Sequence, residues 1–185
     1  MDDVLAQIRV YQALGGPGFA SHVLALRVSG GVARGPGADA GWFDAGGAAG
    51  SHESLTGLTL FGGRALVFPV RGYPEVARSG RTAWSASAEY RVPLALVNRG
   101  LGAWPFSLDR VVGALFADAG NAWGPELGIQ GYQNPRGSTL ASVGAEVTGQ
   151  FLAFWSSSLV LRGGLGFPLV EGEGPRGYLR AGLSF

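Results

Sequence analysis

An arginine that stands alone among glycines and prolines is the residue of this sequence whose chemistry most needs an explanation. Arg71 lies in the stretch FPVRGYPE, between Pro69 and Pro74, in a long Gly-rich region. Its guanidinium group is planar and carries five N–H donors, so it can bind carboxylates through paired hydrogen bonds. Gly72 permits close approach of the backbone, and the two prolines stiffen the chain on either side. The stretch therefore predicts a loop that brings Arg71 to carboxylates.

Residues for covalent or metal chemistry are sparse. The chain has two histidines and no cysteine, and His52 is followed by Glu53 without a further ligand nearby. Zinc normally takes three or four protein ligands. No G-x-S-x-G motif occurs, and the Gly-rich segment 30–41 is not followed by the G-K-[ST] of a phosphate-binding loop. We therefore predict no catalytic residue, no metal and no cofactor.

Composition narrows the class of protein. Lys+Arg number 14 and Asp+Glu number 13, and charged residues make up 15%, where about 25% is usual. A net charge near zero argues against nucleic-acid binding. The acidic start MDD does not predict a signal peptide, and the longest uncharged apolar stretch, 147–161, is too polar for a membrane-spanning helix. A membrane β-barrel would reconcile this hydrophobic composition with the lack of a predicted spanning helix.

The dominant period of the sequence is two. In 81–94, apolar or aromatic residues alternate with small or charged ones, and a strand sends these two sets to opposite faces. The same alternation recurs and predicts seven strands, at 3–12, 19–32, 81–95, 108–119, 138–155, 157–169 and 177–185.

The predicted connections favour an all-β fold, an antiparallel transmembrane β-barrel of about seven to eight strands. Long loops at 33–80, 120–137 and 170–176 alternate with shorter connections at 13–18, 96–107 and 156, as in outer-membrane barrels. Such single-chain barrels usually have an even number of strands, so the apolar segment 54–69 is a candidate for an eighth strand.

A soluble β-sandwich is the alternative fold, because it shares the same alternation. Its water-facing side would carry abundant charge, whereas here the polar face is mostly Gly, Ser and Ala. The apolar faces carry Trp84, Tyr90, Trp155 and Tyr178 near strand ends, as an aromatic girdle would. This pattern favours the membrane barrel and predicts that His22 lies near a membrane interface.

Four stretches, taken in order, resemble the Omp85 superfamily of outer-membrane barrels, which insert or translocate other proteins (the BamA, TamA and two-partner-secretion transporter families). They are VRGY at 70–73, SAEYRVPL at 87–94, ALFADAGNAW at 114–123, and LRGGLGFPL at 161–169 with the terminal YLRAGLSF. The resemblance covers residues 60–185, and residues 3–32 suit the hairpin before the loop.

The resemblance implies that the loop at 33–80 folds back into the barrel lumen. The matching arginine of the family binds matching acids on the strands, which implies that Arg71 pairs with Glu89 and Asp118. Strand parity agrees, since it places both carboxylates on the polar, lumenal face. Gly72, Tyr73 and Gly120 belong to the same motifs. We expect this cluster to fix the loop rather than to carry out chemistry, because a buried ion needs partners.

The resemblance further implies a role in outer-membrane protein assembly and insertion, or in protein translocation, by a non-covalent mechanism. The expected partners are outer-membrane lipid, unfolded outer-membrane or secreted proteins, and the remaining strands and periplasmic domains of a longer barrel protein. Nucleic acid is not an expected partner. The chain would then be the C-terminal part of such a barrel, with Tyr178, Leu183 and Phe185 in its assembly signal. Two alternatives stay open: a truncated relative that closes with one more strand or by self-association, and a passive anchor or pore barrel for a passenger domain.

Overall fold

The computed structural model describes residues 2–34, 43–48, 66–100, 102, 104, 106–124, 139–153, 157–171 and 174–184. These residues form an all-β fold of ten strands. None of them belongs to a helix that is long and apolar enough to cross a membrane. The strands are β1 (Asp2–Leu14), β2 (His22–Arg34), β3 (Phe43–Ala45), β4 (Leu66–Phe68), β5 (Arg78–Gly80), β6 (Thr82–Gly100), β7 (Phe106–Trp123), β8 (Leu140–Ala153), β9 (Ser157–Pro168) and β10 (Arg176–Ser184).

The seven predicted strands are confirmed and form one sheet in the order β1-β2-β6-β7-β8-β9-β10. Every neighbouring pair in this sheet is antiparallel. Period-two alternation was a sufficient signal, since each strand has one apolar and one polar side. Among the described residues, β1 and β10 are the sheet edges and do not pair with each other. The described sheet is therefore open.

The two faces of the seven-stranded sheet differ sharply. One face, called the covered face below, lies under the chain segment 68–80 and carries the buried side chains of Ser85, Ser87 and Asp118. The opposite face, called the outer face, carries exposed aliphatic and aromatic side chains on β2 and on each strand from β6 to β10. They include Leu26, Val28, Tyr90, Leu115, Val143, Val147, Leu165, Phe167 and Leu179. The polar side of the sheet is thus the buried side.

The predicted loop 33–80 contains structure of its own. β3 pairs with β4 in parallel and with β5 in antiparallel orientation, which gives a three-stranded sheet separate from the large one. The eighth strand predicted at 54–69 falls mostly outside the described residues, and its last part forms β4 of this small sheet. Residues 66–68 therefore do not add a strand to the large sheet.

The predicted connection 96–107 is wrong in length, because β6 and β7 both continue into it. β6 extends to Gly100 and β7 begins at Phe106, so five residues connect them. The pairing of β6 with β7 shifts register between Pro93 and Ala95 and again between Leu96 and Arg99. Each bulge interrupts the period-two alternation of the sequence. The end of β6 therefore lacks the pattern that predicts a strand.

Candidate functional site

A small apolar core holds the loop over one end of the covered face. The rings of Phe43 and Phe68, both from the small sheet, pack edge to face with centroids 5.6 Å apart. They belong to a buried cluster with four alanines, Ala33, Ala45, Ala83 and Ala122. Three of these alanines lie on β2, β6 and β7, and their short side chains leave the space that the rings fill.

Residues 69–73 then cross the covered face in close contact with it. A Cβ atom at Gly120 of β7 would lie 2.7 Å from Cγ2 of the buried Val70. A Cβ atom at Gly166 of β9 would lie 2.6 Å from the backbone nitrogen of Gly72. Gly72 has a φ of 91°, which other residues rarely adopt. The strand glycines therefore admit the loop backbone, and Gly72 permits its turn.

Arg71 binds Asp118 of β7 through both its side chain and its backbone. Nε donates to Oδ2 and Nη2 donates to Oδ1, each at 2.7 Å. The backbone N–H of Arg71 also donates to Oδ2, at 3.1 Å. Ser87 lies opposite Asp118 in register; its hydroxyl donates to Oδ1 at 2.7 Å and accepts from Nη2 at 2.9 Å. This bidentate geometry needs the planar guanidinium group.

Two more carboxylates and one aromatic ring complete the surroundings of Arg71. Nη1 lies 2.7 Å from Oε1 of Glu89 and 3.6 Å from Oε2 of Glu146. Both contacts are ion pairs. The guanidinium carbon lies 3.7 Å from the centroid of the Phe116 ring, in a cation–π contact. Arg71 is only 2% exposed, and Asp118 only 3%.

The charges of this cluster cancel. Arg91 donates to Oε2 of Glu89 from Nε at 2.8 Å and from Nη2 at 2.6 Å. Arg180 donates to Oε2 of Glu146 at 2.8 Å, and the hydroxyl of Tyr178 donates to the same oxygen at 2.8 Å. Three arginines thus face three carboxylates. We call this set the Arg71 cluster; it comprises Arg71, Ser87, Glu89, Arg91, Phe116, Asp118, Glu146, Tyr178 and Arg180.

Burial and charge act in opposite directions on Arg71. Burial alone lowers the pKa of the guanidinium, because desolvation disfavours the charged form. The hydrogen bond and charge of Asp118, together with the charge of Glu89, outweigh burial and raise the pKa above its ordinary value. Arg71 therefore stays charged, and its pairing is what makes its burial tolerable.

Tyr73 anchors the loop a second time, where β8 begins and β9 has ended. Its hydroxyl oxygen lies 2.8 Å from the carbonyl oxygen of Ala141 and 2.5 Å from that of Val170. The backbone N–H groups of the same two residues point at this oxygen from 3.4 and 3.3 Å. The hydroxyl thus contacts backbone groups of β8 and of the segment that follows β9. The ring belongs to a buried cluster with Val70 and Leu140.

We expect Tyr73→Phe to lower the free energy of unfolding by about 1–3 kcal/mol, because part-buried carbonyls lose their partner while the ring stays in place. Urea unfolding of the protein in detergent, followed by tryptophan fluorescence, measures the change. Tyr11→Phe is the matched control, since Tyr11 is 57% exposed. A Tyr73→Phe protein as stable as the Tyr11→Phe protein would contradict this role of the hydroxyl.

The structure brings together the residues that the sequence predicted to meet. Arg71 contacts both Glu89 and Asp118 directly, as predicted. Gly72 and Gly120 lie where the loop backbone crosses the strands, and Tyr73 lies beside them in the loop. The contacts of the predicted arginine–carboxylate pairs are thus present. That they fix a loop inside a closed lumen stays a prediction.

Sequence reasoning missed Ser87 and Glu146 as partners of Arg71. Both lie on the polar face that parity assigned, and Glu146 pairs in register with Ala114 of β7. The available signal was position: Glu146 lies on the same face of the strand next to β7, where an arginine that pairs with Asp118 can also reach it. The cluster therefore extends over four strands rather than two.

The prediction that Tyr178 belongs to an outer aromatic girdle is wrong. Tyr178 shares the covered face with Arg180 and donates to Glu146. The parity of β10 explains this, since Leu179 lies on the outer face, 81% exposed. Trp155, also predicted for the girdle, and Phe185 of the predicted assembly signal lie outside the described residues. Leu183 lies on β10, paired with Leu159.

His22 lies at the start of β2, next to the connection from β1. Its Nδ1 lies 2.5 Å from the hydroxyl oxygen of Tyr90, and its Nε2 lies 3.2 Å from the carbonyl oxygen of Pro17. The two rings meet edge to face, with centroids 5.5 Å apart. His22 is therefore held by local contacts at one end of the sheet. Its position near a membrane interface stays a prediction.

Within the described ranges, no three His, Cys, Asp or Glu side chains are grouped in a way that could hold a metal ion. Comparisons of the chain with models of protein families, with curated proteins and with solved structures found no match.

Proposed function

We propose that this chain is part of an Omp85-type barrel of the bacterial outer membrane, which assembles, inserts or translocates other proteins by a non-covalent mechanism. In this proposal the loop 33–80 lies inside the barrel and is fixed there by Arg71. The barrel is completed by strands of the same protein outside this chain or by further copies of it. No covalent step and no cofactor is involved.

The observation that carries the proposal is the burial of Arg71 against Asp118 and Glu89. The three residues come from three separate stretches that resemble Omp85 motifs, and they meet through direct contacts. A chance likeness of four letters in a loop would not place its arginine on the carboxylates of two other strands. The contact therefore supports the resemblance independently of the sequence pattern.

The outer face supports the location in a membrane. Apolar side chains run across six neighbouring strands, and Val28, Leu115 and Leu179 are each more than half exposed. Soluble monomers rarely expose an apolar patch of more than a few hundred Å². A lipid-facing sheet with its polar side turned inward is the arrangement of an outer-membrane barrel. A soluble sandwich would bury the apolar face instead.

We expect the protein to need detergent or lipid for a stable fold. The exposed apolar face would otherwise drive association between copies. Circular dichroism in neutral detergent should give a spectrum dominated by β-structure, and removal of the detergent should cause precipitation or large oligomers.

Light scattering and analytical ultracentrifugation before and after detergent removal provide the measurement. Val28→Ser with Leu115→Ser should reduce association in the absence of detergent. A monodisperse, fully folded monomer of the unchanged chain without detergent would overturn the membrane location.

A passive anchor or pore is the second candidate, and the burial of Arg71 favours it. With 2% exposure, the arginine contacts the protein itself and cannot contact a passing polypeptide without leaving the cluster. The two candidates differ in what the full-length protein does for others. Cells that rely on a full-length Arg71→Ala protein should lose other outer-membrane or secreted proteins if the barrel is an assembly machine, and keep them if it is an anchor.

A further inference from the structure

A cavity lies on the covered face, between the Arg71 cluster and the short connections. Its volume is about 270 Å³. Its floor consists of small side chains, Val112 and Ala114 on β7 and Thr148 on β8, which neighbour each other in the strand register. Three arginines also line the cavity: Arg91 on β6, Arg110 on β7 and Arg162 on β9. We call this feature the arginine trough.

The lining of the trough contains more arginines than carboxylates. Three arginines line it together with a single carboxylate, that of Glu146, which already accepts from Tyr178 and Arg180. Arg91 is held by Glu89 through Nε and Nη2. Arg110, whose side chain is half exposed, donates to its neighbour Asp109 through Nε, and a pair with such an exposed partner is weak. Both arginines therefore have further N–H donors for an anion.

The other lining residues indicate what accompanies the anion. Apolar side chains form part of the wall, namely Phe19, Val23, Pro93 and Leu96. Gln150 offers both donors and acceptors, and the Thr148 hydroxyl, which donates to Oε1 of Glu146 at 3.4 Å, can still accept. Such groups suit the N–H and C=O groups of a peptide better than an acyl chain. The volume is just below the about 300–1,000 Å³ of pockets for whole small molecules. It suits a short piece of an extended chain.

We propose that the arginine trough binds carboxylate-bearing segments of an extended polypeptide, in which acidic and apolar residues alternate. The arginines pair with the carboxylates, the apolar wall contacts the intervening side chains, and Gln150 and Thr148 bind the peptide backbone. This inference adds a substrate class to the proposed function. It can be tested separately from that function, because peptide binding is measured on the purified chain.

Fluorescence anisotropy tests the proposal with the protein folded in neutral detergent. The probe is a labelled eight-residue peptide of alternating Glu and Val, and the matched control is the same peptide with Gln in place of Glu. We expect the acidic peptide to bind at least about ten-fold more tightly than the neutral one. Its affinity should fall as salt is raised, because charge pairs at an open site are screened. Equal binding of the two peptides would overturn the proposal.

Substitutions at Arg110 assign the binding to the trough. Its side chain is half exposed, so Arg110→Gln and Arg110→Glu should leave the circular dichroism spectrum unchanged. We expect weaker binding of the acidic peptide by Arg110→Gln, and a larger loss, of about ten-fold or more, by Arg110→Glu. Arg78→Gln, outside the trough, is the control and should bind as the unchanged protein does.

Two competitors separate a peptide site from a general anion site. Inorganic phosphate and micelles that contain an anionic phospholipid are each added to the complex with the acidic peptide. We expect neither to displace the peptide at matched concentrations of negative charge. Displacement by phosphate would show that the trough is a simple anion site, and stronger displacement by the lipid would assign it to lipid headgroups. Either result would overturn the proposal. Unchanged binding of the acidic peptide by the Arg110→Glu protein would also overturn it.

Discussion

Replacement of Arg71 with alanine should lower the free energy of unfolding by about 3–5 kcal/mol, because it leaves buried carboxylates without their partner. Asp118 accepts three hydrogen bonds from Arg71; it would lose the two from the side chain and keep the one from the backbone N–H. Glu89 would keep Arg91, and Glu146 would keep Arg180. The loss should therefore centre on Asp118. Urea unfolding in detergent at fixed protein and detergent concentration measures it.

Arg78→Ala is the matched control in the same loop. Arg78 pairs with Glu171, and that pair is exposed, so its loss should change the free energy of unfolding by about 1 kcal/mol or less. Arg71→Lys should recover only part of the loss, because an ammonium group cannot form the two parallel bonds to Asp118. Similar stabilities of the Arg71→Ala and Arg78→Ala proteins would contradict the role of the cluster.

The double variant Arg71→Ala with Asp118→Ala isolates the pair. Because the residues share hydrogen bonds, the two effects should not add; the double variant should be more stable than the sum of the single losses predicts, by about 0.5–3 kcal/mol. In the longer barrel protein of the proposed function, the single variant should also reduce assembly or transport if the loop must be fixed for that activity. Stability measured on the chain and activity measured in the cell then report the structural role and the functional role separately.

The strands of the large sheet could be predicted because each strand has one apolar face and one polar face. Alternation over ten or more residues is a strong signal, and the register follows once neighbouring strands place their polar sides together. The signal failed where alternation stopped. The bulges after Pro93 in β6 interrupt it, although the strand continues, and the three-residue strands β3 to β5 are too short to show any period.

The site was predictable to the extent that chemistry limited its partners. A buried arginine needs carboxylates, and parity left Glu89 and Asp118 on the right face. Glu146 satisfied the same criterion, but no motif singled it out. Tyr178 was misassigned because its aromatic character was weighed above its parity with Arg180. Strand parity was the more reliable of the two signals, since backbone geometry enforces it, whereas an aromatic ring suits either face.

Gly166→Ala should displace the loop from the sheet. The new methyl carbon would lie 2.6 Å from the backbone nitrogen of Gly72 and 2.7 Å from its Cα. Backbone atoms cannot rotate away as a flexible side chain does, so the segment 70–73 must move or β9 must bend. Overpacking of this kind costs about 1–3 kcal/mol. The displacement should also weaken the bonds between Arg71 and Asp118, which lie next to the contact.

Gly163→Ala is the control on the same strand, at the outer face. Its Cβ would lie 3.7 Å from the nearest atom, in the side chain of Leu179, which is ordinary contact. It should leave stability unchanged or raise it by up to about 1 kcal/mol, because alanine restricts the unfolded chain. Limited trypsin digestion at Arg78, followed by mass spectrometry, reports the loop directly. We expect faster cleavage there in Gly166→Ala than in Gly163→Ala. Equal rates would mean that the loop does not depend on its contact with β9, and the anchoring would then rest on Asp118 and Tyr73 alone.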